Sequence, residues 1–471
     1  MRERTTTRRF GVLAAAVLVA AVAATAALAN AITGPSSSES PYIVRSQPGI
    51  VTKSILTVGD AVGGYKMVGI PDGLGAFDNG DGTFTLLMNH EIRPGLGTVR
   101  AHGADGAFVS KWTIDKDTLQ VTKGEDLIKR TMLWTAGGYA EATTALNRLC
   151  SADLPAVGAF YNASSGKGYN GRLFMDGEEA GNEGRAFAHG LDATSWELPA
   201  LGRFSWENSV AHPATGDKTV VAGTDDTTPG QVYLYIGDKA TVGNPVEKAG
   251  LTNGKLYGIK VPGFATEPAG GIPSGTPFEL FDLGSRVGKT GAQLETDSNA
   301  GGVTRFLRPE DGSWDPTNPN AFYFVTTNGF TAPSRLWRLN FVDPSNPAGG
   351  GTIDMVLDGT EGQRMFDNLT ISDRGHVLLQ EDIGNQTPLG KVWQYFPDTD
   401  TLQEIAHHDP DRFAPGAPNF LTQDEESSGI IPAPFLGESW YLLDVQAHYS
   451  IAGELVEGGQ LLALHVPPGK K

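Results

Sequence analysis

Phe322-Tyr323-Phe324-Val325 runs without a break into Thr326-Thr327-Asn328, and the same figure recurs along the chain. Phe84-Thr85-Leu86-Leu87-Met88 closes on Asn89-His90-Glu91, and Lys218-Thr219-Val220-Val221-Ala222 leads to Thr224-Asp225-Asp226. His376-Val377-Leu378-Leu379 closes on Gln380-Glu381-Asp382, and Trp440-Tyr441-Leu442-Leu443 on Asp444-Val445-Gln446. Short β-branched and aromatic runs of this kind read as equivalent strands. Each is preceded by another polar residue at a near-constant distance: 19 residues separate Asp72 from Glu91, 18 separate Glu207 from Asp225, 18 separate Glu310 from Asn328, and 19 separate Glu425 from Asp444. Turn sequences lie between, as in Asp78-Asn79-Gly80-Asp81-Gly82, Thr215-Gly216-Asp217 and Asp373-Arg374-Gly375. The repeating unit is a hairpin with a polar residue near both ends.

Several such hairpins, with further runs such as Gln231-Val232-Tyr233-Leu234-Tyr235 and Arg335-Leu336-Trp337-Arg338-Leu339, predict an all-β fold built by radial repetition, a β-propeller with irregular insertions. The 61 Gly and 29 Pro of the 471 residues also favour many turns over long helices. Two packed sandwich domains stay open on pattern alone, because the spacing between units is irregular. In a propeller the inner strand of every blade points one end at a common axis, so acidic groups on equivalent strand ends converge there. Converging carboxylates repel, and burial raises the cost, so they call for protons or multivalent cations. The donors are nearly all hard oxygens, which suit Ca²⁺, Mg²⁺ or Fe³⁺ better than Zn²⁺. Glu381 and Glu425 are metal-ligand candidates on this ground, with Glu91 and Asp225-Asp226 behind them. Asp78 to Gly82 reads as a hairpin turn and not as a calcium loop, since the downstream Glu of an EF-hand is missing. No His-Glu-x-x-His, Cys-x-x-Cys, Gly-x-Ser-x-Gly or complete Gly-x-x-x-x-Gly-Lys-Ser/Thr phosphate loop occurs, so zinc hydrolases, serine hydrolases and loop-type nucleotidases lose their usual supports.

Charge narrows the partners. With 54 Asp+Glu against 36 Lys+Arg the formal net charge is −18, a field that repels nucleic acid and anionic membranes. Arg2, Arg4, Arg8 and Arg9, the uncharged apolar run Val12–Leu28 and the small residues Ala27-Leu28-Ala29-Asn30-Ala31 read as a secretory signal over residues 1–31. Thr7-Arg8-Arg9-Phe10 is similar to the twin-arginine export motif. Cleavage leaves no membrane anchor and a net charge of −21, since the segment holds four Arg and one Glu. The expectation is a secreted or cell-envelope protein, with a polar linker over residues 32–41 around Gly34-Pro35-Ser36-Ser37-Ser38, and a single monomeric domain over residues 42–471. The lone Cys150 forms no internal disulfide.

The segments Asn147-Arg148-Leu149-Cys150, Asp176-Gly177-Glu178-Glu179, Gly202-Arg203-Phe204-Ser205-Trp206-Glu207, Arg308-Pro309-Glu310, Phe366-Asp367-Asn368-Leu369 and Asp424-Glu425-Glu426-Ser427-Ser428-Gly429 resemble, in that order, the PhoX family of alkaline phosphatases. The resemblance implies a six-bladed propeller, twin-arginine export, and a site of iron (Fe³⁺) and calcium ions that hydrolyses small phosphate monoesters. It implies that Cys150 is an iron ligand, that Glu178, Glu179, Glu207 and Glu310 are metal-binding, and that Arg308 contacts substrate phosphate, with Glu310 and Arg308 the catalytic pair. The chain departs from the family where Cys150 is followed by Ser151-Ala152-Asp153-Leu154-Pro155 in place of Gly-Gly and Thr-Pro-Trp-Gly, and where Trp206 stands for the usual histidine. Two other functions share these features: a calcium-stabilised propeller that binds and catalyses nothing, and a phytase-like or phosphodiesterase enzyme on the same scaffold.

Overall fold

The structure, a computed structural model, describes residues 31–387 and 389–468. The leader expected over residues 1–31 lies outside them except for Ala31. Six sheets account for most of the chain. The first is a meander of Pro71–Asp78, Thr83–His90, Phe108–Asp115 and Val121–Asp126. The second orders Leu173–Gly177, Ala186–Gly190 and Thr194–Glu197, then takes Arg130–Thr135 in parallel on its outer side. The third (Trp206–Ala211, Lys218–Asp225, Gly230–Asp238, Lys255–Lys260) and fourth (Pro309–Trp314, Ala321–Thr326, Arg335–Phe341, Gly351–Leu357) share the outer strand Thr276–Gly284. The fifth runs from Phe366–Ile371 through Val377–Glu381 and Lys391–Phe396 to Thr401–His408, edged by Ile43–Arg45. The sixth, Glu425–Pro432, Trp440–Ile451 and Val456–His465, is completed by Val51–Thr57 from the other end of the chain.

The run Phe322 to Val325 shows how these sheets pack. Successive side chains of a strand point to opposite faces. Phe322 and Phe324 join Val220, Leu234 and Trp337 in a core between the third and fourth sheets, while Tyr323 and Val325 join Phe366, Leu369 and Leu379 between the fourth and fifth. Both faces are buried, so the run is apolar throughout and does not alternate. Four further cores fill the remaining interfaces, including one that packs Leu442, Leu461 and Ala463 of the sixth sheet on Leu86, Met88 and Trp112 of the first. Every sheet thus packs on two neighbours and the sequence of sheets closes on itself, which is the radial arrangement and excludes two separate sandwiches.

Residues 32–41, expected as a linker, lie against this body. Ala31–Thr33 pairs in parallel with Thr52–Ser54, Ser36 Oγ accepts from Val121 N at 3.0 Å, and Ser37 Oγ and Thr57 Oγ1 share a hydrogen bond at 3.0 Å. The serine hydroxyls satisfy strand groups at the seam of the first and sixth sheets, so this segment is part of the fold. Among the described residues no helix is long and apolar enough to cross a membrane.

Candidate metal centre

Five of the six innermost strands carry the same irregularity. Pairing steps from Pro71↔His90 to Leu74↔Met88, so Asp72 and Gly73 together face Asn89. Glu207 and Asn208 face Thr224, and Glu310 and Asp311 face Val325. Asp367 and Asn368 face Gln380, and Ser428 and Gly429 face Asp444. Two residues against one is a β-bulge, which bends the strand and re-aims its side chains. The leading members Asp72, Glu207, Glu310 and Asp367 go into an axial cluster, whereas the trailing members brace neighbouring strands. Asn208 Nδ2 donates to Asp311 Oδ1 at 2.6 Å, Leu369 N donates to Asp311 Oδ2 at 3.1 Å, and Asn368 Nδ2 donates to Ser151 Oγ at 2.6 Å. Two residues before three of these acids, Ile70, Arg308 and Met365 have φ of 52°, 65° and 44°. That left-handed backbone is costly for side chains other than glycine, and such strain gathers at functional sites.

Between the first and second sheets the axis is filled by the strap Arg148–Leu154. Leu149 bridges to Glu178, and Asp153 and Met175 exchange backbone hydrogen bonds at 2.9 and 2.8 Å. Glycines on the facing strand let the strap in: a Cβ on Gly73 would lie 2.4 Å from Ala152 N, and one on Gly75 would lie 2.6 Å from Leu154 Cβ. Asn89 Nδ2 fixes the strap by donating to Cys150 O at 2.7 Å. Cys150 is thereby carried into the cluster, its Sγ 3.1 Å from Glu207 Oε2 and 3.5 Å from Asp72 Oδ2.

Two triads form around this point. Ligand atoms of Asp72, Glu91 and Cys150 all lie within 4.8 Å of one another, as do those of Glu207, Asp226 and Glu310. The contact between Cys150 and Glu207 joins them. Each triad has its own guanidinium. Arg148 Nε donates to Glu91 Oε1 at 2.5 Å and its Nη1 to Glu179 Oε1 at 2.8 Å. Arg308 Nε donates to Asp226 Oδ1 at 2.9 Å and lies 2.8 Å from Glu310 Oε1. That second contact is ionic only, and Glu310 Oε1 is buried without a hydrogen bond. Gln446 Nε2 donates to Asp72 Oδ2 and Glu91 Oε2 at 3.0 and 3.1 Å, and Ser151 Oγ donates to Glu207 Oε1 at 2.6 Å. His448 stands at the rim, 2.7 Å from Glu457 Oε2 and 3.4 Å from Glu426 Oε2.

Burial, reinforced by like-charged neighbours, pushes the carboxyls of Asp72, Glu207, Glu310 and Asp367 and the Cys150 thiol well up. Burial with the Glu91 charge takes Glu179 to about 9, and burial with the Glu426 charge takes Asp382 to about 7. Burial alone would lower His448, but hydrogen bonds to Glu426 and Glu457 push it to about 11. Asp72, Glu91, Glu179, Glu207, Asp226, Glu310, Asp367, Asp382 and Glu426 thus share the axis with, among the described residues, Arg148, Arg308 and His448 as cations. Carboxylates in such excess are stable in water-poor surroundings as protonated acids or as ligands of multivalent cations. An oxygen-rich donor set with one thiolate fits hard cations, with a softer position beside the sulfur.

Of the residues singled out in the sequence, Cys150, Glu179, Glu207, Arg308 and Glu310 meet in this cluster. Glu178, Glu381 and Glu425 lie outside it. Glu178 is forked onto Arg185, whose Nη2 and Nε approach at 2.6 and 2.7 Å. Glu381 accepts from Arg364 N, Lys391 N and Trp393 Nε1 at 2.8 to 3.0 Å. Glu425 accepts from Gly390 N at 3.2 Å. The reason is strand geometry: in each acidic pair one side chain faces the axis and its neighbour the opposite side. Glu179, Asp382 and Glu426 are the axial partners, and Asp226 stands likewise to Asp225. The sequence reading does not mark Asp72, Asp367, Asp382, Glu426, Arg148 and His448 as site residues, although the tripeptides Pro71-Asp72-Gly73, Trp206-Glu207-Asn208, Pro309-Glu310-Asp311 and Phe366-Asp367-Asn368 share a signal, an acid followed by a turn former inside a strand.

Residues 188–355 match the family model described as alkaline phosphatase PhoX, a stretch that holds Glu207, Asp226, Arg308 and Glu310. No curated protein matches the chain. Among solved structures, Pseudomonas fluorescens PhoX in complex with vanadate, a transition state analogue, is similar at 12% identity over 92% of this chain and 98% of its own, with a TM-score of 0.65. MPT-4, a mannose phosphorylase from Leishmania mexicana, is similar at 11% identity over 66% and 82%, with a TM-score of 0.29. The α-L-arabinofuranosidase PaAbf62A from Podospora anserina is similar at 9% identity over 88% and 96%, with a TM-score of 0.33. The family match and the fold shared with PhoX bear out the resemblance read in the sequence.

Proposed function

We propose that the protein is a metal-dependent phosphoester hydrolase acting on small phosphate monoesters, a six-bladed propeller that binds iron and calcium at its axis and is exported by the twin-arginine route. The observation that carries this reading is the pair of triads joined by the 3.1 Å contact of Cys150 and Glu207. The thiolate of Cys150 favours iron on its side, with Asp72, Glu91 and Glu207 as companions, and the all-oxygen positions around Glu310, Asp226, Asp367 and Glu426 favour calcium. When bound, the cations reverse the local sign of an acidic protein and act as Lewis acids toward phosphoryl oxygens.

The chain's own groups do the rest. Arg308 is held through Nε by Asp226, and among the described residues its terminal amino groups donate to no protein acceptor. With 28% of its side chain exposed, it presents a fork to the equatorial oxygens of a phosphoryl group. Glu310, within ionic contact, sets the direction of that fork. Arg148 and His448 hold Glu91, Glu179 and Glu426 in place while the site is entered.

Hydrolysis of p-nitrophenyl phosphate after reconstitution with Fe³⁺ and Ca²⁺ tests the reading. Glu310→Gln is expected to lower kcat by at least roughly 100-fold, the scale of losing one charge-stabilising group, and chelation is expected to abolish turnover. Full activity in Glu310→Gln, or turnover that survives complete metal removal, overturns it.

A further inference from the structure

Arg364 stands just before the inner strand Phe366–Ile371 of the fifth sheet, as Arg308 stands just before the inner strand Pro309–Trp314 of the fourth, and the site does not use its guanidinium. Thr327 N and Asn328 N donate to Arg308 O and Leu307 O, each at 3.0 Å, and Thr327 Oγ1 donates to Phe366 O. Asp382 N in turn donates to Met365 O at 3.0 Å. Arg364 precedes Met365 and Phe330 follows Asn328 by two residues, so both lie within roughly 7 Å of chain from these contacts. Arg364 is exposed. Its Nη1 donates to Phe330 O at 2.7 Å and its guanidinium lies 5.0 Å from the centre of the Phe330 ring. Among the described residues it pairs with no carboxylate, although it adjoins the most acidic region of the molecule.

Two features show that this posture is built. The left-handed backbone of Asn328 and Met365, with φ of 59° and 44°, flanks the pair; Asn adopts that region readily, whereas it is costly for Met365. The ring contact and the hydrogen bond to Phe330 O together hold the guanidinium in place, and its other N–H groups are not taken up by a carboxylate among the described residues. Arg308 and Arg364 are therefore cations at the entries of adjacent inner strands, linked through the backbone contacts of Thr327 with Arg308 and Phe366.

We infer that Arg364, oriented by Phe330, is a specificity-determining residue that binds a second anionic group, carboxylate or phosphate, on the leaving-group side of the substrate. This rests on the phosphoester-hydrolase reading and names its preferred substrates: monoesters whose leaving group is itself negatively charged. Guanidinium recognition of either oxyanion is bidentate and worth roughly tenfold or more in affinity at a partly exposed site.

The test compares phenyl phosphate, 4-carboxyphenyl phosphate and 1,4-phenylene bisphosphate on the metal-loaded wild type, Arg364→Ala and Arg364→Gln. Arg364→Ala is expected to lower kcat/KM for at least one ester with a second anionic group about tenfold more than for phenyl phosphate, through KM, with metal content unchanged; the larger of the two effects tells carboxylate from phosphate. Equal effects on all three esters, or none, overturn the inference. If the wild type hydrolyses none of them, the hydrolase reading fails by itself. Calorimetric binding of phenylphosphonate against 4-carboxyphenylphosphonate then reads the same residue: a preference for the second that Arg364→Ala and Arg364→Gln erase supports the anion site, and no preference removes it.

Discussion

Gly73→Ala should disturb the metal centre without touching any of its ligands. The added Cβ would lie 2.4 Å from Ala152 N, 2.6 Å from Ala152 Cβ and 2.6 Å from Ser151 C. The first of these falls about 1 Å short of ordinary contact, and the obstacles are backbone and Cβ atoms that no rotamer change can clear. Either the first sheet or the strap must give, and the strap is the weaker, held across this stretch by a few backbone bonds and by Asn89. Overpacking of this kind costs roughly 1–3 kcal/mol. A strap moved by a comparable distance takes Cys150 Sγ away from Glu207 and Ser151 Oγ from the same carboxylate, so cation affinity should fall about 10–100-fold, the usual penalty for losing ligand support. Gly80→Ala is the control. Gly80 sits at a hairpin tip with φ of 79° and nothing within 4 Å of a Cβ, so it should cost roughly 1 kcal/mol of backbone strain and leave the cations alone. Urea unfolding, iron content and calorimetric Ca²⁺ titration of both variants give the answer. A Gly73→Ala protein that loses stability but keeps wild-type iron content and Ca²⁺ affinity would refute the reasoning, as would equal loss in Gly80→Ala.

The raised carboxyl groups fix the sign of two pH effects. Glu179, at about 9 against an ordinary 4.5, holds its proton in the ion-free fold and releases it on unfolding, as do Asp72, Glu207 and Glu310 in the same direction. Ion-free protein should therefore lose stability as pH rises from about 4.5 toward 9, opposite to a salt-bridged carboxylate; melting in excess chelator at pH 5 and pH 8 checks this, and a higher midpoint at pH 8 contradicts it. Cation binding must displace those protons, so Ca²⁺ titrations in buffers of different ionisation enthalpy should show proton release and an affinity that weakens toward acid pH. The two members of an acidic pair should separate cleanly: Glu178→Gln breaks the buried fork to Arg185 and should cost about 3 kcal/mol of stability, whereas Glu179→Gln should cost less stability and weaken Ca²⁺ binding.

The architecture was legible because apolar runs closing on polar clusters are a direct image of strands buried on both faces, as Phe322 to Val325 shows. The choice of axial acid was not. Sequence places Glu178 beside Glu179 and Glu381 beside Asp382 but carries no mark of which face meets the axis, and a one-residue slip of register reverses the answer. Bulges make the slip real: the residue that a regular alternation assigns to one face is re-aimed in five of the six inner strands. Reading Asp72-Gly73, Glu207-Asn208, Glu310-Asp311 and Asp367-Asn368 as bulges would have recovered the leading acids. The strap was beyond such a reading, since what holds Cys150 at the axis is the absence of side chains at Gly73 and Gly75, on another sheet and some 75 residues earlier.

The cluster also constrains when the cations can bind. Asp72 and Glu91 come from the first sheet, Glu179 from the end of the second, Glu207 and Asp226 from the third, Glu310 from the fourth, Asp367 and Asp382 from the fifth, and Glu426 from the sixth. The sixth sheet is itself incomplete until Val51–Thr57, near the start of the chain, pairs with Val456–His465 near its end. Both triads come from the first four sheets and the strap, but Glu426 and the Gln446 amide that bridges Asp72 and Glu91 come from the sixth, so the axial cluster as a whole is complete only when the ring closes. Before closure the acids are separate and hydrated, and closure brings them together at a cost that protons or cations must offset. Completion of the cation-binding cluster is therefore coupled to closure of the ring, and removal of the cations should loosen the seam between Val51–Thr57 and Val456–His465 before any other part of the ring. Hydrogen exchange of ion-free against loaded protein reads this directly: protection lost first at that seam agrees with the coupling, and uniform loss around all six sheets argues against it.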